Sequence, residues 1–534
     1  MHGYARRPRS VSRKHLVLLR WASLAALAVA FCACHAGTRA KDATAPGSKP
    51  SATSKSAAPS AALRVRGARL SYRFRASQFS NLFYMVDCLA RTTHCTREAF
   101  EELAKSELGG LTEEDRSALQ TWKELRRLYQ GRVEKAGDGD PGLPLPHSQR
   151  QIERRVRLAG YLASTPSEYA ANVGMLIDNA DADRARAVLD RFTERFERYW
   201  RRAEPELTRL VASFARAMQA PGLVALVDRI TTFYGPDLPV GSELTFDLVL
   251  RPRSDGSHAE QLAHVSMVEV TTGEAPEERL DVVLHELFHY FLSQVETAKL
   301  EALVKRFATS EDRTAYAAYG LLDESLASAF GNGLVLKTLA PKTFERRFAR
   351  PHGLYTDDLI DLAAKAAVPR LEEALARGPA LSDPGFFDLW LETVRAAFPD
   401  GIPPRALLRP FACVYPEELE AAMDDFYEVA AQSASAASLD PKEVGDLFDR
   451  RPHWTRVFLL RKTDVPTLAR WAPVIPPSVL KAVRQLSQQA DSFAWVDLPK
   501  GQPALIVFVA EGDAAMKELF ARFRSSKRLV AGHL

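Results

Sequence analysis

"DVVLHELFHYFL", residues 281–292, is the stretch on which the reading of this chain turns. Together with Leu280, the apolar residues Val283, Leu284, Leu287, Phe288, Phe291 and Leu292 follow the i, i+3, i+4, i+7 spacing of a single stripe along an α-helix. Pro276, Glu277 and Glu278, just upstream, suit a first helical turn. A helix advances about 1.5 Å and about 100° per residue. His285 and His289, four apart, therefore share a face beside the stripe and can converge on one ion. Glu286 is rotated about 100° from His285, close enough to bond a water held by that ion without being a ligand itself.

Two neutral imidazoles and a carboxylate are the donor set of zinc, and a catalytic zinc has three protein ligands with a fourth position left for water. Zinc brings the pKa of that water towards 7, and a neighbouring carboxylate takes its proton as it attacks a carbonyl. The third ligand must come from elsewhere. The positions where a metzincin-type continuation needs Gly and His hold Leu292 and Val295. Glu296, Glu301, Glu311 and Glu324 are the nearby carboxylates. Continued helix would put Glu296 roughly 10 Å along the axis from His289, with Glu301 farther still, and Glu311 falls in the turn-like "TSEDRT". Glu324 lies in "YGLLDESLASAFGNG", read as a short helix opened near Asp323 and ended by Gly331. Ala327 and Ser328 there are small enough to let the motif helix approach.

HExxH followed by a glutamate helix written "LDESLA" resembles the gluzincin zinc metallopeptidases, the group containing thermolysin-like and aminopeptidase-N-like enzymes. The resemblance spans about residues 205–335. It implies Zn²⁺ on His285, His289 and Glu324, Glu286 as general base, and a peptide or protein substrate. Two departures stand out. Thermolysin-like enzymes carry a supporting aspartate four residues after the ligand glutamate, where this chain has Ser328, and no aminopeptidase motif precedes the helix. In this family the oxyanion partner is often a Tyr or His; Tyr316, Tyr319 and Tyr355 are the candidates, each also explicable as a packing residue. A competing reading keeps the metallopeptidase-like fold but makes it a catalytically inactive envelope binding or scaffold protein, since fold alone does not fix function.

Working outward, "ELTFDLVLRP" alternates Leu244, Phe246, Leu248 and Leu250 with polar neighbours, as a half-buried strand does. "HVSMVEV" (264–270) is a second strand and the candidate edge to which a peptide adds, with His264 as a candidate substrate contact. The chain divides into 62–204, mainly helical with a strand-like start at 63–76; 205–340, the zincin-like metallopeptidase core; 341–440, helical; and 441–534, a small α/β module. The fold class is α+β, predominantly helical, with a small antiparallel or mixed sheet beside the active-site helix, flanking helical regions and a small C-terminal α/β module.

Ahead of this body, Arg6, Arg7, Arg9, Arg13, Lys14 and Arg20 precede the apolar run "WASLAALAVAFCAC" at 21–34, the pattern of an export signal. Cys34, after Ala33, resembles the lipidated cysteine of bacterial lipoproteins, which implies membrane attachment and a periplasmic or cell-envelope location. Residues 35–61, rich in Ala, Ser, Thr and Pro, read as a flexible tether. Setting aside the six basic residues of the head leaves 65 of the 71 Lys and Arg against 67 Asp and Glu, a net −2. Such a balance gives no electrostatic case for a nucleic-acid partner. Cys88 and Cys95, seven apart, suit a disulfide in an exported chain, and Cys413 has no evident partner.

Overall fold

The alternating strand at 243–250 becomes the middle of a sheet. The structure, a computed structural model, describes residues 62–93, 95–129, 152–251, 258–312, 314–378, 380–427, 432–449, 453–471, 474–500 and 502–533. The export head, Cys34 and the 35–61 tether lie outside the described residues. Strands β1 (Ala62–Arg66), β2 (Ser71–Arg75), β3 (Glu243–Leu250), β4 (Ala259–Leu262) and β5 (Val265–Val270) form one sheet in the order β1-β2-β3-β5-β4. β2, β3 and β5 run parallel, while β1 and β4 are antiparallel edges. The strand-like start at 63–76 therefore belongs to the same sheet as β3 and not to a separate N-terminal region. β5, expected as the peptide-binding edge, is interior. The edge on that side is β4.

β3 was expected to be half-buried, yet both of its faces are covered. On its apolar side Phe246 packs against Phe74 of β2, ring centroids 4.9 Å apart, and Phe74 meets Phe214 of the long helix Asn179–Met218. On the other side Asp247 is buried but satisfied. Ser80 Oγ (2.8 Å), Arg75 Nε (2.9 Å) and the Ser77 amide (3.2 Å) all donate to it. Alternation thus identified the two faces correctly, and helix Gln78–Leu89 covers the polar one through hydrogen bonds. That helix is tied to the following loop by a disulfide between Cys88 and Cys95.

The expected division at 204/205 falls inside one continuous helix, Asn179–Met218, with Pro205 in its interior. Its apolar stripe, including Leu189, Phe192, Phe196, Leu207, Leu210 and Phe214, is buried along its whole length. The described residues, 62–533, fall in one compact unit. Arg191 and Arg195 of the long helix pin a second helix, Glu113–Tyr129, through buried Asp115. Burial works to raise the Asp115 pKa, but Arg195, the Thr112 amide and Arg191 outweigh it and hold the carboxyl at about 2. A depressed carboxylate stabilises the fold above its unfolded value near 3.9, and that contribution is lost as pH falls through about 2. Asp115→Asn is expected to cost about 2 kcal/mol at neutral pH. It should also flatten the loss of thermal stability between pH 4 and 2. An unchanged acid limb in melts of the variant would contradict this role.

The C-terminal sheet is larger than expected. β6 (Pro410–Val414) and β7 (Gln432–Ala436), inside the region read as helical, join β8 (Thr455–Arg461), β9 (Phe493–Asp497), β10 (Leu505–Ala510) and β11 (Gly532–His533) in the order β11-β9-β10-β8-β6-β7. "PFACV" is apolar at every position, so it carries no period of two. Phe411 and Cys413 enter the main core while Ala412 and Val414 enter a second core on the other face. The free Cys413 is thus buried in the main core. The described residues make a predominantly helical α+β protein with two mixed sheets.

Candidate metal centre

The motif segment forms the helix Leu280–Ser293, and all seven residues of its expected stripe are buried. The stripe fixes the rotation of the helix, which leaves His285 and His289 turned to the glutamate helix. That second element is α-helical over Leu322–Ser328 and runs on into a wider π-helical segment, Ala329–Val335. Gly331 therefore does not end the helix. It stands where the two helices touch: a Cβ there would lie 2.7 Å from the Asp281 carbonyl oxygen and 2.8 Å from His285 Cα. One turn before His285, buried Asp281 accepts from Arg347 Nη1 (2.8 Å) and Asn332 Nδ2 (3.3 Å), which fastens the start of the motif helix to the π segment.

This packing brings three ligand-type atoms together. His285 Nε2 and His289 Nε2 are 3.1 Å apart. Glu324 Oε2 lies 3.7 Å from the first and 3.6 Å from the second. At those lengths the carboxylate oxygen is not hydrogen-bonded to either ring, and it is buried without a hydrogen-bond partner among the described residues. His285, His289 and Glu324 could hold a metal ion. The other carboxylates weighed as third ligand are not brought in: Glu296, Glu301 and Glu311 are exposed. The motif helix stops at Ser293, and Glu296 precedes a new helix, Thr297–Ala308.

A residue the sequence reading used only as a helix start completes the group. His289 Nδ1 is 2.7 Å from Asp323 Oδ1. The carboxylate accepts the Nδ1 proton, which leaves Nε2 as the nitrogen from which an ion would displace the second proton. Burial acts against a charged His289, but Asp323 and then Glu324 lift its pKa well above the ordinary histidine value. Glu324 is held well below the usual carboxylate range, where His289 and His285 outweigh its burial. Ser328, the position of the missing thermolysin-type aspartate, is fully buried. The hydrogen bond to His289 comes instead from Asp323, the residue directly before Glu324. The signal was present in "LDESLA": an acidic neighbour of the ligand, where a metal-bound histidine needs an acceptor for its second nitrogen. Asp323→Asn is expected to weaken metal binding about 10- to 100-fold, measured by competition with a chromophoric chelator. Unchanged affinity would rule out this support.

Glu286 is half-buried on the same helix, and burial raises its pKa against the pull of His285 and His289. Of the three tyrosines, only Tyr355 is stacked on a ligand ring, its centroid 5.9 Å from that of His285 at 17°. Burial, then the charge of Glu324 beside it, keeps its phenol protonated. Tyr316 neighbours Thr455 and Arg456, and Tyr319 packs on Phe307 at 5.5 Å. His264 occupies the β4–β5 turn, where its charged neighbours are Arg75 and Glu243 rather than the ligand group. No protein-family model, curated protein or solved structure matches this chain.

Proposed function

We propose that the chain is an exported zinc-dependent metallopeptidase of gluzincin type, with a zincin-like core made of the β1–β5 sheet, the motif helix and the glutamate helix. The observation that carries the reading is the convergence of His285, His289 and Glu324. A tetrahedral zinc with bonds of about 2.0–2.1 Å sets its ligand atoms about 3.3 Å apart. The separations of 3.1, 3.6 and 3.7 Å fit that figure with small adjustments. Zinc, when bound, supplies Lewis acidity that brings a water's pKa towards neutrality and polarises a carbonyl.

The protein's own residues supply the rest. Glu286, one position past a ligand and raised by its surroundings, takes the proton of the attacking water and passes it to the leaving amine. Tyr355, protonated and stacked over His285, is the donor available to a developing oxyanion. Asp323 keeps His289 in the ligating tautomer. The basic head and apolar run before Cys34 support an envelope location. Metal analysis of the purified chain should find about one zinc per molecule, and a peptide-library digest should show cleavages absent from a Glu286→Gln control. Zinc-free protein, or identical digests, would overturn the reading; zinc without cleavage would favour the scaffold.

A further inference from the structure

The edge of the metal-site sheet is closed at one end by an arginine. β4 pairs antiparallel with β5, with Ala259 opposite Val268, Glu260 opposite Met267, Gln261 opposite Ser266 and Leu262 opposite Val265. The Glu269 amide donates to the His258 carbonyl at 3.0 Å. Because an antiparallel ladder alternates bonded and non-bonded pairs, Glu260 and Leu262 also direct their backbone groups at β5. The N–H and C=O groups of Ala259 and Gln261 then point outward from the last strand of the sheet. An extended peptide adding to this edge would pair with those groups.

One of them is taken. Arg154 Nη2, on the helix Ile152–Leu162, donates to the Gln261 carbonyl at 3.2 Å. Arg157 of the same helix ion-pairs with Glu260 and donates to Thr93 Oγ1 at 2.6 Å, so the helix is fixed over that end of the strand. Gln261 is fixed too: its Nε2 donates to the Ala263 carbonyl at 2.6 Å, and its Oε1 accepts from Ser266. The motif helix packs along the same strand, so a peptide paired to β4 would run beside the ligand group.

The geometry points to Arg154 as a specificity-determining residue: by occupying the Gln261 carbonyl it stops an extended peptide at that end of β4 and restricts the site to peptide ends and short peptides. This inference rests on the peptide-hydrolysis reading above. Covering an edge also guards against strand-to-strand association, but that role alone would leave no preference for peptide length.

The test compares internally quenched tetrapeptide and decapeptide pools of random sequence on the zinc-loaded wild type, Arg154→Ala and Arg154→Lys. The wild type should cleave the tetrapeptides and leave the interior of the decapeptides intact. Arg154→Ala should raise the decapeptide-to-tetrapeptide ratio of kcat/KM about tenfold, the weight of one charge-assisted hydrogen bond. Arg154→Lys, which keeps a donor, should stay near wild type. Zinc content and melting temperature establish that each variant is folded. Binding of both pools to the Glu286→Gln chain, read by fluorescence anisotropy, separates the two ideas. If nothing is cleaved but short peptides bind better and Arg154→Ala removes that preference, the closed edge stands and the peptidase reading falls. If Arg154→Ala leaves the length preference unchanged in both assays, or if the wild type shows none, Arg154 does not set it.

Discussion

Glu286→Gln should retain one zinc per chain and lose about three orders of magnitude in kcat/KM, equivalent to about 4 kcal/mol of transition-state stabilisation. The substitution is nearly isosteric and leaves His285, His289 and Glu324 untouched, so metal content and melting temperature should match the wild type. What it removes is the acceptor for the water's proton. A carboxamide there can still hydrogen-bond a water but cannot deprotonate it. The pairing of intact metal with lost turnover is the informative result. If the variant hydrolyses the same peptides at the wild-type rate, another group is the base and the role given to this side chain is wrong.

The second large effect is expected at a residue that touches neither metal nor substrate. Gly331→Ala places a Cβ 2.7 Å from the Asp281 carbonyl oxygen and 2.8 Å from both Cα and Cβ of His285. All three are backbone or backbone-adjacent atoms of the motif helix, so no rotamer change relieves the contact and the two helices must part by about 1 Å. Because His285 and Glu324 sit on opposite sides of that contact, the ligand triangle opens with it. Zinc affinity should fall about 100-fold, given what a misplacement of about 1 Å does to a preorganised site, and stability by about 2 kcal/mol. Gly333→Ala is the matching control: its Cβ meets a methyl group of Val368, 2.5 Å away and outside the metal group. It should lower the melting temperature while leaving zinc affinity near wild type. Equal zinc affinity in Gly331→Ala and the wild type would show that the approach of the two helices does not set the metal geometry.

The parts of this molecule that were legible in its sequence share one property: their pattern is local. The stripe from Leu280 to Leu292 predicted the burial of every one of its members, and the alternation in β3 separated its two faces. The histidine pair needed only helical spacing. Glu324 could be placed because small residues and an acidic pair signalled a short helix beside the motif. Misreadings came where the local pattern is short, absent or misleading. β5 looked like an edge because nothing in "HVSMVEV" announces that β4, a four-residue strand, would pair on its outer side. "PFACV" was absorbed into a helical region because a strand buried on both faces has no alternation to show. The 204/205 division reflected a change of composition within one helix that the chain itself does not break. Asp323 was visible but underused: its role depends on the orientation of an imidazole ring, which spacing along a helix does not specify.

The first sheet also carries a consequence for how the molecule is made. Arg75 of β2 bonds Asp247 of β3 across 172 positions of chain, and β1 and β2 alone amount to a two-stranded hairpin, marginal in water. As the polypeptide emerges N-terminus first, that hairpin must wait for the whole intervening helical layer before its parallel neighbour arrives. Long-range parallel pairing of this kind is slow and leaves strand edges uncovered in the interim. The motif helix follows β5 directly, so the histidines are synthesised only after the sheet that supports them can close. Convergence of His285, His289 and Glu324 is therefore a late event in folding: a partial chain that ends before Glu324 lacks the third member of the group, and one that ends before Gly331 lacks the contact that sets the two helices together.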